Sequence, residues 1–366
     1  MTSKIVWENL KHRPVRSLLS ILLISVPVTL ILTLVGLSHG FLESSQERTR
    51  GIGADVIVRP PGSSFLNLSG TPLPEDLGPK LLAKQPHVKL VMGTVNEPIE
   101  NVTLGAAGVD LNTFNQMSGG FQYIAGGPFR GPHDVIVDRY YAAQHNLHVG
   151  DMVKIKNLPW RVCGIIEVGK LAHIVFPITV LQDITGDPHK VTQFYLKLDN
   201  PANTDEVVRE LKLKLEGYPI YSMSGFTSLF TVNNIPELSE FINVVMGIGV
   251  VIGFAVVCLS MYMAVLQRTR EIGILKSLGA SKLFILRIIL AEALLLGVGG
   301  TVFGILLSYG AYWLLATLRP ASLPIVPVPA WWPIAGAVTL VGALLGSLYP
   351  GLNAARHDPI EALSYE

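Results

Sequence analysis

The chain is short of charge. Only 15% of its 366 residues are Asp, Glu, Lys or Arg, against about 25% in an ordinary globular domain. Residues 17–42, 241–267, 293–318 and 320–355 have none of the four. Cysteine is also scarce: Cys163 lies in a polar segment and Cys258 in an apolar run, too far apart to bond, which excludes a disulfide framework. No G-x-S-x-G or H-E-x-x-H signature is present. His145 and His148 have no cysteine nearby and fall short of the three or four protein ligands of a zinc site. Gly164-Ile-Ile-Glu-Val-Gly-Lys170 has phosphate-loop spacing, but Leu171 stands where a Mg²⁺-binding Ser or Thr is needed. That segment reads as a strand and a glycine turn. Asn67-Leu-Ser69 and Asn101-Val-Thr103 are sequons by spacing only.

The charge-free runs are long enough to cross a bilayer, which takes about 20 apolar residues. Buried helices of soluble proteins keep a polar face, and Val244–Leu266 has none. The run from Leu18 to Leu37 is too long for a cleaved signal peptide and reads as a retained anchor. The expected fold is therefore an α-helical membrane protein with four transmembrane helices plus an α+β extracytoplasmic domain between spans one and two. The expected boundaries are a cytoplasmic amphipathic helix over 1–16, span one over 17–42, the outer domain over 43–240, and further spans over 241–267, 288–318 and 331–350. A loop over 268–287 and a tail over 351–366 complete the chain. Lys4, Lys11, Arg13 and Arg16 before the first run, and Arg268, Arg270, Lys276, Lys282 and Arg287 after the second, place both termini and that loop in the cytoplasm by the positive-inside rule. Trp331 and Trp332 suit an aromatic anchor at the outer interface, and Pro27 suits a kink in span one.

The outer segment has 17 Lys and Arg against 21 Asp and Glu, a net charge of −4, which excludes a basic nucleic-acid surface. Strand-like runs occur at Asp55–Arg59, Lys89–Met92, Val135–Val137, Val153–Ile155, Trp160–Ile166 and Phe194–Leu198, with a hairpin turn expected near Asn157-Leu158-Pro159. Helices are expected at Asp138–Asn146 and Thr204–Glu216, the latter capped by Thr204, with Val208, Leu211 and Leu215 on one stripe and Gly217 as its stop. Gly62–Pro79 reads as a loop presenting Phe65, Leu66 and Leu68 to a partner, a substrate or its own domain.

The most informative stretch is Gln267–Ser281. Glu271–Leu278 predicts a short helix with Ile272, Leu275 and Leu278 on one face. Gly279 fits a helix stop with positive φ, and Ser281 fits the cap of the next helix. Spacing alone supports either a knob that docks into a cytoplasmic protein or an ordinary positively charged loop. Within this stretch, Arg270-Glu271-Ile272-Gly273-Ile274-Leu275-Lys276-Ser277-Leu278-Gly279-Ala280-Ser281 resembles the signature of the MacB/LolC/FtsX-type ABC transporter permeases. Glu292, Gly297, Gly300 and Gly304, then Tyr349-Pro350-Gly351, Ala354-Ala355 and Asp358–Leu363, resemble the rest of that family's C-terminal part. Trp7, Leu10, Arg13, Arg16 and Leu19 resemble its opening helix. Gly108-Val109-Asp110 and Val149-Gly150-Asp151 resemble elements of the MacB-like periplasmic core.

The resemblance implies a permease without a catalytic site, resident in the bacterial inner membrane. Arg270–Ser281 would rest on a cytoplasmic ATPase of LolD/MacB type. ATP and Mg²⁺ would bind in that partner, and this chain would hold no cofactor. MacB carries its ATPase on the same chain; here 16 residues precede the first run, which implies a separate ATPase polypeptide. A second copy, or a paralogue, and a periplasmic adaptor are the other implied partners. Gly247, Gly249 and Gly253 in span two and Gly297, Gly300 and Gly304 in span three permit close helix approach, either between copies or within one subunit; the resemblance implies the dimer for span two. Glu292, a charge inside a span, would pair with Arg268 or Arg287 or take part in coupling. The alternatives are an FtsX-like regulator of an outer enzyme and a membrane-anchored receptor without an ATPase.

Overall fold

The computed structural model describes residues 14–63, 71–101, 104–231, 234–267, 269–319 and 324–356. Residues 1–13, Phe65–Leu68, the Asn67 sequon, Arg268 and Asp358–Leu363 lie outside them, as does most of the Asn101 sequon. The chain forms two compact units. The first comprises 1–39, 236–314 and 325–366, and the second 40–235 and 315–324.

The first unit is helical. Among the described residues four helices are long and apolar enough to cross a membrane: α1 (Pro14–Arg50), α8 (Pro236–Gln267), α10 (Lys282–Leu318) and α11 (Trp332–Arg356). At 1.5 Å per residue, even the 25 residues of α11 reach about 38 Å, enough for a hydrocarbon core of about 30 Å. All four helices outrun their expected bounds: α8 begins at Pro236 rather than 241, and α11 runs to Arg356 rather than 350. The first helix runs on to Arg50, because Glu43 to Arg50 contains no Gly or Pro and Glu43, Gln46, Glu47, Arg48 and Arg50 are good helix formers. The third begins at Lys282 rather than 288, because Ser281 Oγ accepts the Phe284 N–H (3.2 Å) and starts the helix there. Pro27 lies within α1 and Pro350 within α11.

Close approach in this unit rests on glycine. A Cβ at Gly304 would lie 2.6 Å from Val28 Cβ, and one at Gly300 2.7 Å from Ile24 Cβ, so α10 and α1 meet backbone to side chain. Gly297 meets Leu340 of α11, and Gly249 meets Ile31 of α1. Gly247 and Gly253 have no atom within 4 Å of the added position. Across the same helices Thr29 Oγ1 donates to the Gly304 carbonyl (3.1 Å) and Tyr312 Oη to the Leu32 carbonyl (3.0 Å).

The second unit is a mixed α/β domain. Its main sheet runs β12 (Ile220–Ser222), β1 (Val56–Val58), β11 (Gln193–Leu198), β3 (Val88–Asn101), β4 (Leu104–Val109), β9 (Ile174–Pro177), β6 (Asp134–Asp138), β8 (Leu158–Ile166) and β5 (Tyr123–Gly126), with β7 (Met152–Ile155) also on β8. Most pairs are antiparallel; β4–β9 and β6–β8 are parallel. Strands β2 (Leu73–Pro74) and β10 (Lys190–Val191) form a small separate pair. The helices of this unit are α2 (Leu77–Lys80), α3 (Leu111–Ser118), α4 (Arg139–His145), α5 (Ile178–Thr185), α6 (Thr204–Lys214) and α7 (Met223–Ser228). The 14-residue β3 belongs to two half-sheets: its first half pairs with β11 and its second with β4. One core gathers Val56, Leu196, Val207 and Leu211 on the first half-sheet, and another gathers Val135, Trp160, Val162 and Phe176 on the second.

The hairpin turn sits at Lys156-Asn157, not at Asn157-Leu158-Pro159. Both turn residues have positive φ (48° and 65°), the two-residue geometry that matches strand twist, and Leu158 and Pro159 already pair in β8. Thr204 is not a cap: Asn203 precedes α6, and Thr204 Oγ1 donates back to the Pro201 carbonyl (2.6 Å). The buried stripe of α6 is Val207, Leu211 and Leu215, with Val208 at its margin.

Candidate functional site

Helix α9 (Thr269–Ser277) links α8 to α10. Glu271 stands in its first turn and Lys276 in its last, each complementing the helix dipole. The Gly279 N–H donates to the Lys276 carbonyl (3.0 Å) and the Ala280 N–H to the Leu275 carbonyl (2.9 Å), with Gly279 at φ 93°. This pair of bonds is the Schellman arrangement, which favours a residue without a Cβ at the left-handed position. Ser281 then caps α10. A helix, a four-residue turn and the next helix are thus fixed by local hydrogen bonds alone.

The apolar side chains of α9 divide differently from the sequence reading. Ile272 and Leu275 point inward, with Met261 and Val265 of α8 and Ile285 and Ile289 of α10, around a small cavity of about 110 Å³. Gly273 is buried as well. The outward apolar residues are Leu278, 79% exposed, and Ile274, 44% exposed. Leu278 leaves the Ile272/Leu275 face because the chain quits helical geometry after Ser277. The outer face of the knuckle is therefore Ile274, Leu278, Gly279 and Ser281, with Glu271 exposed beside it. Arg270 lies in the first helical turn and Ala280 closes the turn. Glu292 is 6% exposed and lines the same small cavity as Glu271. Of the helix-packing glycines, Gly249, Gly297, Gly300 and Gly304 pack within the chain, whereas Gly247 and Gly253 face open space.

The second unit contains a buried polar cluster that the sequence did not announce. Arg48, in the last turns of α1, donates from Nη2 to Asp138 Oδ2 (3.1 Å). His173 Nδ1 lies 2.8 Å from the same oxygen. The Asp138 Oδ1 accepts the Tyr141 N–H (2.8 Å) and so caps α4. The network assigns the His173 proton to Nδ1, leaving Nε2 to accept from Arg48 Nη2 (3.1 Å). Burial opposes ionisation of Asp138, but the His173 hydrogen bond, the Arg48 charge and the Tyr141 N–H outweigh it and hold the carboxyl below its usual range. Burial, aided by the Arg48 charge, pushes the His173 imidazole down despite its bond to Asp138. The arrangement is a buried ion pair, in which Arg48 Nη1 finds no hydrogen-bond partner among the described residues; it ties the end of α1 to β6 and to the residue that precedes β9 in the same unit.

Other sequence features take structural roles. Lys170 Nζ donates to the Ser118 and Gly120 carbonyls (2.9 and 2.6 Å), which ties down the chain after α3 rather than a phosphate. His145 stacks on Tyr141 and His148 lies beside Asp151. Among the described residues no group of three or more His, Cys, Asp or Glu is placed to hold a metal ion. Asp110 Oδ2 caps α3 through the Thr113 N–H (2.9 Å), and Asp151 Oδ2 accepts the His148 N–H (2.7 Å) in the turn before β7. Cys163 and Cys258 are free thiols, and burial pushes that of Cys163 up to about 11.

Two family models match the chain: the MacB-like periplasmic core domain over residues 17–213 and the FtsX-like permease C-terminal over residues 243–359. An uncharacterized ABC transporter permease of Methanocaldococcus jannaschii is 25% identical over 98% of this chain and 96% of its own length. A macrolide export ATP-binding/permease protein MacB of Sodalis glossinidius is 26% identical over 97% of this chain. A pyoverdine export ATP-binding/permease protein of Pseudomonas savastanoi is 28% identical over 61% of this chain and 36% of its own length. The chain spans 59% of the length of the Sodalis relative. With one family model across its first span and mixed α/β domain and the other across its last three apolar helices, the chain belongs to the MacB-type ABC transporter permease family and is a membrane protein.

Proposed function

We propose that this chain is the permease, or mechanotransmission, subunit of an ABC exporter, and that the knuckle built from α9, Gly279 and Ser281 rests on a cytoplasmic ATPase carried by another polypeptide. In this reading both termini and the knuckle lie in the cytoplasm of a bacterial inner-membrane protein, and the mixed α/β unit lies outside. ATP and Mg²⁺ bind only in the partner. Two permease copies meet through α8, where Gly247 and Gly253 leave a flat face. ATP-driven approach of the ATPases tilts the spans, and the outer unit handles substrate, with a periplasmic adaptor as a further partner.

The observation that carries the reading is the outer surface of the knuckle. An apolar side chain that is 79% exposed, Leu278, sits at a turn stiffened by two local hydrogen bonds and a cap. Exposed apolar groups on a rigid projection suit a groove on another protein. Relatives whose names join an ATP-binding part to a permease part agree with it.

The test is Leu278→Asp in the full chain co-expressed with its ATPase. The expected result is at least a tenfold loss of ATPase co-purification, with the isolated ATPase's own turnover unchanged. Undiminished co-purification of the Leu278→Asp and Ile274→Asp variants overturns the reading.

A further inference from the structure

Strand β3 leaves part of one edge unused. Successive residues of an antiparallel strand direct their N–H and C=O groups to opposite edges. Two bonds set the phase. The Leu196 carbonyl of β11 accepts the Asp55 N–H (2.8 Å) on the β1 side, so Leu196, opposite Val91, turns its groups away from β3. The Thr94 carbonyl accepts the Thr192 N–H (2.8 Å) on the β11 side. From Leu90 to Thr94 the even-numbered residues of β3 therefore face β11, and Val91 and Gly93 face the other edge; the bulge that shifts the register between Lys197 and Leu198 takes Lys89 out of this alternation. Strand β4 occupies that other edge only from Val95 onward, because the chain leaves the sheet at Asp110 to start α3. Among the described residues no strand pairs with Val91 or Gly93 there.

This stretch is not an open rim. Val88 to Gly93 line a cleft of about 460 Å³ together with Gly78, Pro79, Ala83, Asp110 and Thr113. A lipid chain or an apolar small molecule would leave the N–H and C=O groups of Val91 and Gly93 without partners, which is costly in a shielded place. An extended polypeptide satisfies them at the natural spacing of a strand. We propose that the cleft binds an extended segment of a partner protein, added as a strand beside β3 through Val91 and Gly93. Two facing residues make a short ladder, suited to the tail of a protein that is also held elsewhere rather than to a free peptide alone. The partner is a protein of the compartment that this unit faces.

Two experiments on the full chain, the first in nanodiscs and the second in cells, test this. The first probe is an acetylated, amidated hexapeptide of alternating Val and Thr, compared with a form N-methylated along one edge and a form N-methylated at every residue. The expected result is slowed amide exchange at Val91 and Gly93 with the first two, and at least tenfold weaker protection with the third. Equal protection by all three overturns the proposal, without altering the protein. The second places a photo-crosslinking residue at Ala83 in cells. The expected adduct is a protein joined through one short segment, and Val91→Pro, which removes one edge donor, lowers its yield at least tenfold. Adducts of lipid or free peptide only, or a protein adduct indifferent to Val91→Pro, overturn it.

Discussion

Asp138 accepts hydrogen bonds from three sides: Arg48, His173 and the Tyr141 N–H. Removing a partner from such a buried pair leaves a charge without compensation, at a cost of about 3–5 kcal/mol. Asp138→Ala is therefore expected to lower the thermal midpoint of the detergent-solubilised chain sharply, while Asp199→Ala, at an exposed carboxylate, is not. The pH dependence has a definite sign. The His173 value is lowered on folding, so the unfolded chain takes up more protons as pH falls below about 6.5, and stability falls with it. Asp138 is also lowered, so its contribution is present above about 3.9 and is lost as pH falls through the folded value. Unfolding measured from pH 8 to pH 3 should show two successive losses, with His173→Gln removing the first and diminishing the second, since His173 helps hold the Asp138 carboxyl down. None of this was legible in the sequence, because Arg48, Asp138 and His173 are far apart along the chain and each is of a common residue type.

At the scale of elements, a Cβ added to Gly304 would collide with Val28, and one added to Gly247 would meet nothing. Gly304→Val is expected to cost about 1–3 kcal/mol through overpacking and to reduce the yield of folded protein. Gly247→Val should leave the thermal midpoint unchanged and lower the fraction of crosslinkable dimer. The spans themselves were readable because a run of 20 or more residues without charge suits a bilayer and little else. Helix α4 was readable from its terminal residues: Asp138 caps it and Asn146 closes it at φ 52°. Strand β4 was not, because Leu-Gly-Ala-Ala-Gly-Val has little β preference and is held by its two neighbours. Helix α5 was missed because it starts directly after Pro177 with Ile-Thr-Val, residues that prefer strands. In the knuckle, the sequence located the turn at Gly279 and the cap at Ser281, but helical periodicity carried through Leu278 grouped it with Ile272 and Leu275, whereas Leu278 is exposed and those two line the inner cavity. Periodicity holds only while the helix lasts.

For the whole molecule, the proposed arrangement sets the knuckle and the mixed α/β unit on opposite sides of a membrane. In a background with Cys163 and Cys258 replaced by Ala, Ile124→Cys should react with an impermeant maleimide in intact cells. Leu278→Cys should react only after permeabilisation. Labelling of both from the same side would sink the coupling proposal. Charge bias around the runs was enough to formulate this expectation, since it depends on counts of Lys and Arg and not on packing. What charge and pattern could not convey is how the outer unit closes: the sharing of β3 between two half-sheets depends on pairings made over long stretches of chain.

Those pairings also set a timetable for biogenesis. Val56 finds its partner in Leu196, about 140 residues later in the chain, and contacts so far apart form slowly. As the polypeptide emerges from the ribosome, β1 stays single until most of the unit has been synthesised, whereas the hairpin of β7 and β8 can zip as soon as it appears. The half-sheet nearest the start of the chain is thus the last to be completed, and a nascent chain halted before residue 193 should remain open to protease at Val56–Val58.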